Sequence, residues 1–246
     1  MKILAGEAWA IIPARGGSKS IPLKNLAPLG GRPLIEYVID AGLASRRISR
    51  IICSTDHDGI AAVCAGRDVE VHRRPAALAR DETPVVDVLC HLLEDLGARE
   101  GGVAELVPLL QPTSPFVLPG HIDACLEALA RDPRADSAQT IATLPHNHHA
   151  YNQRVVEDGL LRFRFPEERA RFYAKQTKPK HYVFGNLVVT RSSTIVEKRT
   201  LFGDRSLPVE IPFRYATDVD TQEDLELAEW LLATGRVIVS GGGATR

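Results

Sequence analysis

Short apolar segments alternate with longer amphipathic segments along most of the chain. Four short apolar runs are predicted as buried strands: residues 8–13, 50–54, 69–72 and 105–110. Four longer segments, with apolar residues at helical spacing, are predicted as helices: residues 33–45, 57–66, 84–96 and 119–131. Strand followed by helix, repeated, predicts an α/β fold with a doubly wound, mostly parallel sheet.

The alternation of strand and helix stops at residues 145–179, which are rich in His, Arg, Lys and aromatic residues. Hydrophobic periodicity is weak there, so we predict an excursion from the sheet that acts as a lid, a dimerisation arm or both. A strand is predicted again at residues 182–190. With this excursion included, residues 1–239 are predicted to form one domain.

The last helix is well marked in the sequence. Asp220 or Thr221 is suited to cap its amino terminus, acidic residues follow in its first turn, and Gly235 ends it. The glycine-rich segment 240–246 is expected to be a disordered tail.

Composition and charge describe a globular protein with no general affinity for polyanions. Hydrophobic residues make up 44% and charged residues 25% of the 246 residues. The 30 Lys and Arg residues nearly balance the 31 Asp and Glu residues, which gives a net charge of -1. We therefore expect no nucleic-acid partner and no anionic membrane partner, and we interpret local basic clusters as sites.

Cysteine usage and hydropathy favour the cytoplasm. The four cysteines form no Cys-x-x-Cys pair and each lies in an apolar run, which is typical of buried thiols in a reducing compartment. Residues 1–9 contain one lysine and only a short apolar stretch, unlike a signal peptide. No apolar run approaches the length of a membrane span, so no membrane association is expected.

A glycine-rich basic segment follows the first predicted strand and reads PARGGSKSIPLKN from residue 13 to residue 25. Gly16 and Gly17 allow backbone N–H groups to turn towards an anion without a Cβ in the way. Arg15, Lys19 and Lys24 add positive charge. Because open α/β sheets bind ligands at the carboxyl ends of strands, we predict a triphosphate cradle; a basic surface turn is the alternative. The segment is neither a Walker A loop nor a GxGxxG fingerprint.

Asp218 and Asp220 form a second candidate site, just before the last predicted helix. On an extended segment, side chains two residues apart point to the same side. Two convergent carboxylates suit Mg²⁺, which keeps waters and phosphate oxygens as its other ligands. We therefore predict a magnesium site at these residues. The alternative is that Asp220 only caps the helix while Asp218 is solvated, although capping and ligation are compatible.

Five short blocks, in order between about residues 8 and 234, resemble the acylneuraminate cytidylyltransferases, which activate sialic acid and related nonulosonic acids as CMP-sugars. The blocks are ARGGSK (14–19) with PLKN (22–25), STD (54–56), RRP (73–75) with LARD (78–81), LQPTSP (110–115) and DVDT (218–221). Each block is weak alone, but all of them in this order are highly specific to the family.

The resemblance implies a Rossmann-like nucleotidyltransferase, usually a homodimer, that uses CTP and Mg²⁺. It implies that Arg74 faces the cytosine and that the loop holds the phosphates or the ribose. The implied nucleotide-binding residues are Ala14, Arg15, Gly16, Gly17, Ser18, Lys19, Lys24, Asn25, Arg74 and Asp81. The implied catalytic residues are Arg15, Lys24 and Asp220, and the implied metal ligands are Asp218 and Asp220.

The acceptor side departs from the family pattern. Phe116 and Val117 stand where the family commonly has Leu-Arg, and Val183 stands at the position of an expected arginine. Basic residues nearby nevertheless favour a small anionic acceptor, although a solvated basic turn is an equal alternative. The predicted acceptor-binding residues are Gln111, Ser114, Lys175, Gln176, Lys178 and Asn186.

The predicted reaction is an in-line attack of an acceptor hydroxyl on the α-phosphorus of CTP, with pyrophosphate leaving. Asp220 or a metal-bound water is expected to accept the proton. The first hypothesis has a nonulosonic acid as the acceptor. The second has a small phosphonate or phosphorylated acceptor, with CTP or another nucleotide as donor. The third is a non-catalytic nucleotide-binding regulator, which predicts a lost loop cation or carboxylate, and none is lost.

Overall fold

A computed structural model describes residues 2–241 of the chain. Its main feature is a seven-stranded sheet. The strands of this sheet are β1 (Ile3–Pro13), β4 (Arg50–Thr55), β5 (Glu70–Arg73), β6 (Val103–Leu109), β7 (Ser137–Thr143), β10 (Tyr182–Arg191) and β11 (Ser206–Glu210). Two small antiparallel pairs complete the strands: β2 (Pro28–Leu29) with β3 (Arg32–Pro33), and β8 (Arg154–Glu157) with β9 (Leu160–Phe163).

The strand order is β11-β7-β10-β6-β1-β4-β5. All neighbouring strands are parallel except β10, which runs antiparallel to both β6 and β7. From β1 the chain builds outwards through β4 to β5, and it then crosses back to β6 on the other side of β1. Such a reversal opens a crevice at the carboxyl ends of the strands, where open α/β sheets bind ligands.

Helices cover both faces of the sheet. They are α1 (Leu34–Leu43), α2 (Asp58–Ala65), α3 (Val85–Glu100), α4 (Pro119–Arg131), α5 (Pro166–Arg171), α6 (Ser192–Lys198) and α7 (Gln222–Ala233). One core joins α1, α2 and α4 to one face of the sheet, and a second core joins α3 and α6 to the other. Alternate β1 residues enter opposite cores: Ala10 and Ile12 the first, Trp9 and Ile11 the second. The doubly wound α/β prediction is therefore confirmed.

The five predicted helices and five predicted strands are present, with shifted ends. The strand predicted at 8–13 begins at Ile3, and the helix predicted to end at residue 96 continues to Glu100. Of the seven strands in the main sheet, β7 and β11 were not predicted from the sequence, and neither were the strands of the two small pairs. The last helix begins after Thr221, whose hydroxyl accepts from the N–H of Asp224, so Thr221 is the capping residue.

Between β7 and β10 the chain leaves the sheet. It forms two 3₁₀ turns, the β8–β9 hairpin, α5 and a third 3₁₀ turn at Lys175–Thr177 before it returns. The two ends of this segment meet, because the N–H of Leu144 donates to the carbonyl of His181 at 3.1 Å. The region predicted as an excursion, 145–179, lies within this segment. Of the predicted tail, Ser240 and Gly241 form a turn and residues 242–246 lie outside the described residues.

Candidate active site

The loop after β1 is fixed to its neighbours by backbone hydrogen bonds. Ala14 is fully buried and its N–H donates to the carbonyl of Ser54 at 3.0 Å. The side-chain amide of Asn25 donates to the carbonyl of Arg15 at 2.8 Å, which closes the loop upon itself. Leu23 has a left-handed backbone with φ of 48°, an unfavourable conformation for a branched residue. The loop is thus held in one shape from both ends.

Gly16 lies where a side chain does not fit. Its N–H donates to the carboxylate of Asp56 at 2.9 Å, and a Cβ at this position would lie 2.7 Å from Cδ2 of His57. The His57 ring is itself fixed, because its Nδ1 accepts from the N–H of Gly59 at 3.1 Å and caps α2. The end of β4 therefore shapes the loop that follows β1.

All three cations of the loop contact carboxylates. Lys19 Nζ lies 2.7 Å from Asp81 Oδ2, and Arg15 contacts the other oxygen of the same carboxylate. These contacts, with Lys19 contributing more than Arg15, lower the pKa of Asp81, and Asp81 raises the pKa of Lys19. Lys24 Nζ lies 2.9 Å from Asp220 Oδ1. The loop is therefore tied to two other segments of the chain.

Asp218 and Asp220 approach the loop from the segment before α7. The N–H of Val219 donates to the carbonyl of Thr113 at 2.7 Å, which attaches this segment to the loop after β6. Ser114 donates to Asp218 Oδ1 at 3.4 Å. The Asp218 carboxylate is open to solvent through the cleft, yet the surrounding walls desolvate it enough to raise its pKa. Like charge on Asp220 acts in the same direction.

Arg74 lies at the back of the site and is 8% exposed. Its Nη2 donates to the carbonyl of Ser54 at 2.8 Å, and its Nε donates to the Ser54 hydroxyl at 3.2 Å. These bonds fix the plane of the guanidinium, which borders the cleft. Burial lowers the pKa of Arg74 below the ordinary value for arginine. A planar donor group held in this way suits recognition of a flat polar ligand.

These groups line one cleft of about 570 Å³ at the carboxyl ends of the central strands. Three predicted positions lie beside the cleft: Ala14 and Gly16 within the loop, and Ser114 behind Asp218. The predicted residues that line it are Arg15, Gly17, Ser18, Lys19, Lys24, Asn25, Arg74, Asp81, Gln111, Asp218 and Asp220.

The remaining predicted acceptor residues lie elsewhere. Lys175, Gln176 and Lys178 belong to the excursion and do not line the cleft. Asn186 is 1% exposed, and its side-chain amide donates to the carbonyls of Phe116 and Tyr215 at 3.2 and 2.9 Å. In this conformation Asn186 joins core segments and is not available to a ligand.

Two valines that suggested an unusual acceptor also lie outside the cleft. Val117 is 2% exposed in the core beneath α4, and Val183 packs against a third apolar cluster around α7. Arginine at position 117 of this backbone would have to leave the core, whereas position 183 is only partly buried. The two valines therefore pack in or against apolar clusters and do not line the cleft, and the nature of the acceptor stays a prediction.

Several cleft residues were not predicted from the sequence. Ser20, Arg80, Thr83 and Thr113 all line the cleft. Thr113 lies in the block LQPTSP, which resembles the family, but neither its charge nor its spacing distinguishes it from the other residues of that block. The sequence also did not predict a role for His57, whose ring leaves no space for a side chain at Gly16.

The described residues 2–241 were compared with the requirements of a metal site built from protein ligands alone and of a membrane-spanning helix. Within them, no group of three or more His, Cys, Asp or Glu side chains is placed to hold a metal ion. Over the same residues, no helix has the length and apolar character needed to cross a lipid bilayer.

The sheet topology and the cleft at its carboxyl edge define the fold class of the Rossmann-like nucleotidyltransferases. A family model described as cytidylyltransferase matches residues 9–241, and the chain belongs to this family. It is 33% identical to an N-acylneuraminate cytidylyltransferase of Oncorhynchus mykiss over 150 residues, which cover 61% of this chain and 33% of the relative.

A second relative and a solved structure extend the comparison. The chain is 26% identical to the N-acylneuraminate cytidylyltransferase of Streptococcus agalactiae serotype V over 87% of its own length and 50% of the relative's. The chain thus spans half or less of the length of these two curated relatives. Its fold matches the structure of CMP-2-keto-3-deoxy-manno-octonic acid synthetase complexed with CTP, with a TM-score of 0.72 and 18% identity over 93% of this chain and 99% of that one.

Proposed function

We propose that the protein transfers the cytidylyl group of CTP to an anionic acceptor of the nonulosonic, sialic-like acid type and releases pyrophosphate. One observation carries this proposal: a single cleft combines the loop cations Arg15, Lys19 and Lys24 with the carboxylates Asp218 and Asp220. The cations suit a triphosphate, and the carboxylates suit a bound cation and a proton acceptor. Family membership and the named relatives support the choice of cytidine and of acceptor.

The reaction joins an acceptor hydroxyl oxygen to the α-phosphorus and breaks the bond from that phosphorus to the bridging oxygen of the β-phosphate. Pyrophosphate leaves with the electron pair of that bond. Arg15 and Lys24 bind and orient the phosphates, so that charge developing on the leaving group meets cations already in place. Asp220 is the residue proposed to accept the hydroxyl proton.

Magnesium is proposed as the cofactor. Asp218 and Asp220 border the same cleft as the phosphate-binding cations, and two carboxylates with phosphate oxygens and waters meet the coordination preference of Mg²⁺. When bound, Mg²⁺ would neutralise phosphate charge. Because the pKa of Asp218 is raised, a bound cation would stabilise the ionised form of this carboxylate.

The excursion offers the positive charge for the acceptor. Lys178 donates to the side chain of Asn152 at 2.7 Å, while Lys175 is exposed. Desolvation, and then the charges of Lys178 and Lys175, lower the pKa of the exposed His146, so both lysines act on the same histidine. Because they do not border the cleft of their own chain, either the excursion closes over it or a second copy supplies them.

A homodimer in solution is part of the proposal. The excursion exposes apolar side chains, with Val156 at 72%, Leu161 at 68% and Tyr173 at 74% exposure. Exposed apolar patches of this kind favour a protein partner. The aromatic Tyr151 instead packs within the excursion, where it stacks on Phe172 with ring centroids 5.8 Å apart.

A screen for pyrophosphate release tests the proposal. The four nucleoside triphosphates are each combined with sialic-like acids, sugar phosphates and small phosphonates, with and without Mg²⁺. We expect release with CTP, Mg²⁺ and a nonulosonic acid. Faster release with a phosphonate or phosphorylated acceptor would favour the second hypothesis, and binding of CTP without release on any acceptor would favour the non-catalytic regulator.

A further inference from the structure

One carboxylate in the cleft, that of Asp81, forms ion pairs with two cations of the loop. Lys19 Nζ lies 2.7 Å from Oδ2 of Asp81, and Arg15 donates to Oδ1. Asp81 comes from the segment between β5 and α3, 66 residues along the chain from Arg15. Each oxygen of Asp81 thus contacts a different cation of the loop that the proposed function assigns to the phosphates.

A carboxylate and a phosphate have the same sign of charge and prefer the same donors. A triphosphate that bound Arg15 and Lys19 with Asp81 still in contact would bring like charges within a few ångströms of each other. The donors of Lys19 and Arg15 that contact Asp81 would also not be free for phosphate oxygens. Contact of these cations with Asp81 and their contact with phosphate are therefore competing states.

We propose that Asp81 is an internal counterion that exchanges with the phosphates: it holds Arg15 and Lys19 in the free protein, releases them to the nucleotide, and recovers them as pyrophosphate leaves. This inference rests on the proposed function. Asp81 is a positioning residue in this scheme, because it acts through the two cations. Its presence weakens the affinity for polyphosphate and speeds the release of product.

The segment that carries Asp81 is exposed and is held by local backbone hydrogen bonds. It follows a 3₁₀ turn at Ala76–Leu78 and precedes α3, and it belongs to no strand. Its backbone hydrogen bonds in the described structure are local turns, such as Thr83 N–H to the carbonyl of Arg80 at 3.3 Å. Separation of Asp81 from the loop therefore breaks two ion pairs and no sheet contact.

Both partners stay charged through the neutral pH range. Contact with Lys19 and then Arg15 lowers the pKa of Asp81, and contact with Asp81 raises the pKa of Lys19. The pairing thus persists wherever the triphosphate is fully charged. Exchange is then controlled by the concentration of the ligand and not by a proton.

The test compares Asp81→Asn with the full wild-type chain by isothermal titration calorimetry. The Asn side chain keeps the size but loses the charge, so the fraction of free protein with available cations rises and the apparent Kd falls in proportion. Loss of two partly exposed ion pairs predicts about threefold to tenfold tighter binding of both CTP and pyrophosphate. Cytidine, which has no phosphate, should bind unchanged.

Glu82→Gln is the matched control. Glu82 is the next residue and is exposed, and it acts on Lys19 through its charge without a hydrogen bond. It should leave the affinities for CTP and pyrophosphate within about twofold of wild type, because exposed charges without contact are screened. Equal tightening in Glu82→Gln would show an effect of total charge and overturn the specific exchange.

Turnover gives a second readout. In Asp81→Asn the KM for CTP should fall together with kcat, since the same contacts that tighten substrate also retain pyrophosphate. General damage to the site would instead weaken CTP, pyrophosphate and cytidine alike. Unchanged or weaker binding of pyrophosphate in a folded Asp81→Asn protein, repeated with Asp81→Ser, overturns the inference.

The two proposals fail in different ways. If the wild-type protein binds CTP but the variants do not tighten, the exchange is refuted and the proposed function stands. If the wild type binds pyrophosphate but not CTP, the choice of nucleotide is refuted, while the pyrophosphate titrations still decide the exchange. A wild-type protein that binds neither CTP nor pyrophosphate would refute both proposals.

Discussion

At the scale of single residues, Gly16 sets the shape of the phosphate-binding loop. Gly16→Ala would place a Cβ 2.7 Å from His57 Cδ2 and 2.9 Å from His57 Cβ. Because the His57 ring is fixed as the cap of α2, the loop must move, and we expect turnover to fall about tenfold or more from the misplaced Arg15 and Gly17. Steady-state pyrophosphate release measures the loss.

A neighbouring glycine provides the comparison for folding. A Cβ on Gly17 would meet only Arg15 Nη1, at 3.8 Å, which is ordinary contact. We therefore expect the Tm of Gly17→Ala to match wild type, while that of Gly16→Ala falls. Because Gly17 borders the cleft, the comparison with Gly17→Ala is restricted to thermal unfolding and does not include activity. Equal Tm values and full activity for Gly16→Ala would refute the role of the His57 contact.

Asp220 can be tested for chemistry separately from folding, because Thr221 and not Asp220 caps α7. Asp220→Asn keeps the shape of the side chain but removes the charge proposed for metal binding and proton transfer. We expect a loss of activity of about a hundredfold or more, with thermal stability nearly unchanged.

Glu223→Gln is the control for that experiment, since it removes an exposed charge from the first turn of the same helix. It should retain activity and Mg²⁺ dependence. An Asp220→Asn enzyme that stays active and still responds to Mg²⁺ contradicts both assignments of this carboxylate.

The sequence predicted much of the site because its residues are adjacent along the chain. Arg15, Lys19 and Lys24 fall in one loop, and that loop borders the cleft as predicted. What it did not predict were their partners, since Asp81 and Asp220 lie 66 and 196 residues away from the cations they contact. Spacing in sequence gives no information on such distant pairs, nor on whether Val117 and Val183 border the cleft, which they do not.

At the scale of elements, the sequence predicted five strands of the main sheet from their runs of large apolar residues and missed β7 and β11. β7 reads SAQTIAT and has one large apolar residue, yet it is buried by its neighbours β10 and β11. β11 contains Pro208, which argues against an interior strand. Its place at the edge of the sheet explains how proline is tolerated there.

The excursion gives the prediction that belongs to this scale. Val156 and Leu161 face each other across the β8–β9 hairpin, and both are exposed in the single chain. If they form the dimer contact, the double substitution Val156→Ser and Leu161→Ser should convert a dimer into a monomer without loss of secondary structure. Light scattering at micromolar concentration measures the mass, and circular dichroism checks the fold.

A surface leucine on α7 controls for loss of apolar surface in general. Leu227 is 49% exposed and lies outside the excursion, so Leu227→Ser should keep the mass of wild type. A monomeric wild-type protein, or a dimer that survives the double substitution, would exclude this hairpin as the contact.

At the scale of the whole molecule, a buried histidine links stability to pH. His121 Nδ1 accepts from the backbone N–H of Leu118 at 3.2 Å, at the amino terminus of α4. Burial lowers the pKa of His121 from 6.5 to about 4. The unfolded chain therefore binds a proton that the folded chain does not, so the free energy of unfolding should decrease as pH falls from 6.5 towards 4.

We expect the Tm of wild type to drop between pH 7 and pH 5 by several degrees, with one histidine contributing on the order of 1 kcal/mol at the lower pH. His121→Gln removes the titration while keeping an acceptor near the N–H of Leu118, so its Tm should change less over the same range. Equal drops in both proteins would assign the acid sensitivity to other groups.

The junction where the excursion leaves the sheet determines how a change in the length of the excursion affects the rest of the fold. Thr143 pairs with Tyr182, and the N–H of Leu144 meets the carbonyl of His181, so the excursion begins and ends at one point. An insertion closed at its base adds little strain, and each doubling of its length costs only about 0.6 kcal/mol in closure entropy. We therefore expect that the segment can be lengthened or shortened while the nucleotide cleft keeps its fold.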